Sequence, residues 1–113
     1  MVKRITLVKA RPEPREATMK SLVAAGFDVE AHDTGEAALA AIRERPPDVL
    51  ITDISLVGIG GAELAARART SCPGGRLYVI GLAERGDAAP PSAFDVVLTK
   101  PVEIDSLLDL LGA

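Results

Sequence analysis

The segment Asp48-Val-Leu-Ile-Thr-Asp53 constrains the fold more than any other part of the chain. Val49, Leu50 and Ile51 are apolar without alternation. A strand of that kind must be covered on both faces, as happens inside a parallel sheet with helices above and below. Parallel neighbours also need long crossovers, so this strand commits the flanking sequence to helical connections. The run ends on one acid, Asp53, followed by Ile54-Ser-Leu-Val-Gly-Ile-Gly-Gly61. The carboxyl end of a central strand is where open α/β sheets place their functional crevice.

The flanks supply the expected units. Ile5 to Val8 is a short β-prone run, and the prolines of Lys9-Ala-Arg-Pro-Glu-Pro-Arg15 belong in a loop or a helix's first turn. From Arg15, Met19, Leu22 and Val23 have helical spacing and are expected to face inward, with Gly26 at the left-handed C-cap. Phe27, Val29 and Ala31 then alternate with Asp28, Glu30 and His32, the pattern of an edge strand with one wet face. Thr34 is a good N-cap for a helix over 36–45, whose Ala38, Leu39 and Ile42 share a face before Pro46-Pro47 stops it.

Beyond the central strand, a helix over 62–70 turns Leu64, Ala65 and Ala68 inward, and Cys72-Pro-Gly-Gly75 leads into a fourth strand over 76–82. Val96 to Leu98 is the fifth. Ile104, Leu107, Leu108 and Leu111 line one face of a closing helix that ends at Gly112. The connection from Ala83 to Phe94 contains Gly86, Pro90 and Pro91 and is barely long enough for a parallel crossover. No full fourth helix is expected there. The expectation is one α/β domain over residues 1–113, with a parallel sheet wrapped by right-handed crossovers.

Composition narrows the function classes. At 113 residues, one core burying roughly 65% of the unfolded chain's surface is feasible. With 48% hydrophobic but only 3% aromatic residues, that core must be aliphatic. No uncharged run is longer than Ile54 to Ala62, far short of the ~18 residues a bilayer demands, so a soluble, cytoplasmic chain is expected. Cys72 has no second cysteine to pair with, and no Cys/His cluster offers a structural metal site. A net charge of −3 with scattered basic residues argues against nucleic-acid and membrane partners and for a protein partner.

On this layout Lys9 follows strand one, Asp53 ends strand three, Ala83 follows strand four and Lys100 follows strand five. One acid stands between two lysines. Asp53 with Ile54-Ser-Leu-Val-Gly58 and Gly61, Leu98-Thr-Lys-Pro101, and Asp33-Thr-Gly-Glu-Ala-Ala-Leu39 together resemble the receiver (response-regulator) domain of two-component signalling, over essentially the whole chain. The resemblance implies a flavodoxin-like (βα)5 fold with strand order 2-1-3-4-5, its fourth helix shortened or absent here. It also implies an aspartate, at Asp53, that accepts a phosphoryl group from a histidine kinase with Mg²⁺ assistance, and a lysine, at Lys100, that contacts the phosphoryl oxygens.

Several positions depart from the family pattern. Its metal-holding acidic pair falls at Lys9 and Ala10, its switch hydroxyl at Ala83 and its switch aromatic at Val97. A pocket with Lys9, Lys100 and Arg11 around one carboxylate suits a hard dication poorly. Lys9 within ~4 Å of Asp53 would instead form a standing ion pair. The expectation is therefore an atypical receiver that binds a protein partner, a histidine kinase or another signalling protein, with no cofactor and no Mg²⁺-dependent switch. The alternative within signalling is a phosphoacceptor on Asp53, with Mg²⁺. The alternative outside it is a small α/β enzyme using Asp53 and Lys100, for which no base–nucleophile pair is visible, so a non-enzyme is expected. The pattern fixes neither an oligomeric state nor the partner. Gly58-Ile-Gly-Gly61 lacks nucleotide-loop spacing, and His32 reads as a surface histidine.

Overall fold

In the computed structural model, which describes residues 2–72, 74, 76–87 and 92–113, strands and helices alternate through most of the chain. They are β1 (Arg4–Val8), α1 (Pro12–Ala24), β2 (Asp28–His32), α2 (Gly35–Glu44), β3 (Val49–Asp53), α3 (Gly61–Ser71), β4 (Tyr78–Ala83), β5 (Val96–Thr99) and α4 (Ile104–Leu110). All strand pairings are parallel, in the order β2-β1-β3-β4-β5. β3 is central and buried at every residue, as its unbroken apolar run requires. β2 is an edge strand whose Val29 and Ala31 are half-buried while Asp28 and Glu30 are exposed.

The two faces of the sheet carry separate cores. Val8, Leu50 and Val79 pack with Ala38, Leu39 and Ile42 of α2 and Leu64, Ala65 and Ala68 of α3. Ile5, Leu7, Ile51, Ile80 and Leu82 pack on the other side with Leu22 of α1 and Leu107 and Leu111 at the end of the chain. This is the doubly wound arrangement, and among the described residues its buried core is aliphatic apart from Phe94 and Cys72. The helix ends follow local chemistry: Thr34 accepts the Ala37 N–H at 3.1 Å as N-cap of α2, and Gly26 takes φ +99° just past α1.

One inward assignment is corrected. Val23 is exposed, not part of the core. The inward stripe of α1 runs through Met19 and Leu22, and Val23 lies about 100° further round the helix. There α1 flanks the edge strand β2, beyond which, among the described residues, no further strand lies.

Between β4 and β5 the described residues form turns rather than a helix, and residues 88–91, with Pro90 and Pro91, lie outside the described set, as do Pro73 and Gly75 of the expected turn after α3. The ring of Phe94 lies on the sheet where a helix would otherwise pack, joining the α2–α3 core. Gly81 makes room for it: a Cβ there would meet the ring at 2.9 Å.

Candidate functional site

The carboxyl ends of β1, β3, β4 and β5 converge on one cleft of about 500 Å³, whose lining includes Lys9, Arg11, Asp53, Ser55, Glu84 and Lys100. Asp53, last residue of β3, is 5% exposed. Its backbone is fixed by the sheet, and its own carbonyl accepts the buried Thr52 hydroxyl at 2.9 Å. Gly61 opens α3 against that carbonyl so closely that a Cβ would fall on it, so only glycine fits.

The Asp53 carboxylate faces cations on one oxygen and the backbone on the other. Oδ2 accepts the Ala10 N–H at 3.1 Å. Oδ1 stands 2.9 Å from Lys100 Nζ and 3.9 Å from Lys9 Nζ. These are ion-pair distances, but neither ammonium directs a hydrogen bond at Oδ1. The sequence-derived set of Lys9, Asp53 and Lys100 is thus gathered in one place, with Ala10 contributing an amide. Among the described residues, no three His, Cys, Asp or Glu side chains gather as a metal-binding group.

The two lysines differ in environment. Lys9 is buried, and burial pulls its pKa below the ordinary 10.5, outweighing the opposing attraction of Asp53. Lys100 is less enclosed; burial pulls its pKa down too, but the Asp53 carboxylate 2.9 Å away, with the Glu84 carboxylate adding its own hydrogen bond and charge, raises it above 10.5 overall. The Lys100-Pro101 peptide bond is cis. Ala83 is buried and presents only a methyl group; its carbonyl accepts the Lys100 N–H at 2.7 Å. Val97, on the edge strand β5, is 41% exposed and stands apart from the cleft.

Three acids to which sequence reasoning gave no role, Glu84, Asp87 and Glu36, complete the surroundings. Lys100 donates to Glu84 Oε1 at 3.1 Å. Asp87 accepts the Ser55 hydroxyl and the Glu84 N–H, both at 2.8 Å. On the other side, Glu36 in the first turn of α2 accepts the Ile59 N–H at 3.1 Å, and Gly58 takes φ +84° beside its carboxylate. The only sequence cue for the first pair was an acidic Glu84-Arg-Gly-Asp87 turn directly after a strand.

A buried strand-end aspartate with a lysine from the last strand, on a 2-1-3-4-5 parallel sheet, defines a class before any relative is considered. Residues 5–112 match the family described as response regulator receiver domain, and the chain belongs to that family, which serves two-component signalling. It is similar to the response regulator receiver protein CpdR of Brucella abortus, at 32% identity over 113 residues, covering 96% of this chain and 92% of that protein. It is also similar to the virulence sensor protein BvgS of Bordetella pertussis, at 41% identity over 97 residues, covering 77% of this chain but only 8% of the sensor. Among solved structures, a CheY-like receiver domain from Methylobacillus flagellatus superposes with a TM-score of 0.89 at 23% identity, over 99% of this chain and 98% of that one. That likeness establishes the flavodoxin-like fold. Receiver domains are signalling modules that act with histidine kinases and other signalling proteins. No described helix is long and apolar enough to cross a membrane.

Proposed function

We propose that this receiver works as a protein-interaction module in a phosphorelay pathway, in the cytoplasm, without the Mg²⁺-dependent phosphorylation switch of its family. The observation that supports this most is the pair of ammonium groups at 2.9 Å and 3.9 Å from Asp53 Oδ1. Phosphoryl transfer to a carboxylate usually relies on a dication that draws acceptor and donor oxygens together and neutralises the developing charge. Mg²⁺ requires a near-octahedral shell of oxygens, usually with anionic ones among them. Here two lysines already meet the charge of Asp53, and the other carboxylates of the cleft, Glu84 and Asp87, are engaged with Lys100 and Ser55 and do not gather with it as a metal-binding group among the described residues, so the residues present do not fit the ion. Lys9 takes over the neutralisation as a fixed charge that no ligand brings or removes. The partner in this reading is a protein, a histidine kinase or another signalling protein, and no nucleic acid is involved.

A second reading has one observation in its favour. Asp53 Oδ1 lacks a directed hydrogen bond and borders the cleft, as a nucleophilic oxygen would. In that case Oδ1 forms the new P–O bond while the donor's leaving group departs, and Lys100 contacts the phosphoryl oxygens. One experiment separates the two. Wild type, Asp53→Asn and Lys9→Asp are incubated with Mg²⁺ and a small acyl-phosphate donor and examined by intact mass, with Mg²⁺ affinity measured in parallel by calorimetry. The proposal expects no phosphate adduct on wild type, and gained Mg²⁺ affinity in Lys9→Asp. An adduct on wild type that Asp53→Asn abolishes overturns it, as does a Lys9→Asp variant that binds Mg²⁺ no better than wild type.

A further inference from the structure

The cleft around Asp53 contains more organised charge than its three sequence-derived residues account for. Two ammonium groups, Lys9 and Lys100, face one carboxylate, leaving one positive charge unmatched at the strand ends. Glu84 meets it: its carboxylate lies 3.1 Å from Lys100 Nζ. Glu84 does not act alone. Its N–H donates to Asp87 Oδ2 at 2.8 Å, and its carbonyl accepts the Asp87 N–H at 3.0 Å, so residues 84–87 close on themselves as a turn, with Gly86 at φ +93°. From this turn Asp87 Oδ1 reaches across to the Ser55 hydroxyl at 2.8 Å, on the loop that follows Asp53. One turn therefore takes two separated donors: the ammonium of Lys100 and the hydroxyl of the residue two places after Asp53.

We propose that the Glu84–Asp87 turn is an internal anion that occupies the donors an arriving phosphoryl group would use, holding the loop after β4 against the Asp53 site without phosphorylation. The inference rests on the function proposed above and specifies how the site is kept in one state. At Ala83 the side chain has no oxygen, so nothing at that position could follow a phosphoryl group inward. The coupling has moved one to four residues along the chain and changed sign, from a hydroxyl drawn toward an anion to carboxylates drawn toward fixed donors. A lone half-exposed Lys–Glu pair contributes little. The turn gains its effect from being a unit, since charge-assisted hydrogen bonds to Asp87 hold the backbone that presents Glu84. Like charge then adds to occupancy: a dianion approaching Lys100 meets the Glu84 carboxylate already there.

The test is a Glu84→Gln/Asp87→Asn variant of the whole chain, compared with wild type by amide NMR during titration with inorganic phosphate, and by amide hydrogen exchange without it. A parallel sulfate titration separates a general oxyanion site from a phosphate-selective one; either satisfies the proposal, because the shared chemistry is an oxyanion at Lys100. The expectation is saturable shifts at Ala10, Ser55 and Lys100 in the variant, with at least tenfold tighter binding than in wild type. Exchange at the residue 84 and 87 amides should be at least tenfold faster in the variant, and adding Lys100→Met should abolish the anion response. Equal phosphate binding in variant and wild type overturns the proposal, and so does unchanged exchange at residues 84 and 87. If wild type instead becomes phosphorylated in the mass assay while these comparisons hold, the turn still guards the site and only the phosphorylation-independent reading fails. The two ideas therefore fail separately.

Discussion

Exchanging Lys9 for methionine tests whether the lysine stabilises the fold or serves only the charge of the site. Lys9 Nζ lies 3.9 Å from Asp53 Oδ1. At an effective dielectric of ~20 that separation corresponds to an attraction of about 4 kcal/mol. Against it stands the desolvation of a buried ammonium, which costs several kcal/mol. The downward displacement of the Lys9 pKa decides between them: burial outweighs Asp53, so the charged lysine is less comfortable here than in water. Methionine keeps the unbranched stem and deletes the charge. Asp53 would retain Lys100 at 2.9 Å and the Ala10 N–H at 3.1 Å, so no buried acid is stranded. Lys9→Met should therefore be neutral or stabilising by up to ~2 kcal/mol in urea unfolding, moving the midpoint with an unchanged m-value. Asp53→Asn is the counterpart. It leaves two ammonium groups facing a neutral amide and should destabilise by about 3 kcal/mol, less whatever Lys100 recovers by turning outward. A loss above ~2 kcal/mol in Lys9→Met would refute the reasoning, because the pair would then be a net stabiliser despite its burial.

Two further outcomes follow from the same structure. Gly81→Ala places a methyl group 2.9 Å from the Phe94 ring and should cost about 1–3 kcal/mol by overpacking, recovered in part by Phe94→Leu; a change under ~0.5 kcal/mol would mean the ring moves freely. The alkaline limb of stability should split the two lysines. The fold favours protonated Lys100, so its contribution is whole below pH 10.5 and is lost as pH rises through its higher folded-state value. The fold disfavours protonated Lys9, so that cost fades as pH climbs from its lowered value toward 10.5. Melts between about pH 8 and about pH 11 should decline more steeply in Lys9→Met than in wild type and less steeply in Lys100→Met, and three equal slopes would contradict the assignment.

What the sequence revealed and what it hid separate along a physical line. β3 was legible because two-sided burial leaves no room for alternation, and Asp53 became a candidate because it is where that run stops. Lys9, Ala83 and Lys100 were placed beside it by counting strand ends, which a parallel sheet brings to one edge. Val23 was misassigned because periodicity gives the spacing of a stripe but not its width, which depends on what lies beyond the edge strand. Glu84, Asp87 and Glu36 escaped because acids in turns read as solvated charge. Their partners, Lys100, Ser55 and the Ile59 N–H, are distant in sequence and are met only once the loops are assembled. Loop-to-loop contacts carry no period.

Phe94 resting on Gly81 has a consequence for how this protein can be watched. A helix shields a strand through several side chains that must all leave together; here one aromatic ring, hinged on two torsions, covers Gly81 in the middle of β4. On that face the ring lies over the strand that leads to Ala83 and the Glu84–Asp87 turn. The chain has only two phenylalanines, Phe27 and Phe94, so fluorine labelling gives two resonances, one beside the edge strand β2 and one over β4. The second is a built-in gauge of whether that face of the strand is covered, readable without touching the site itself.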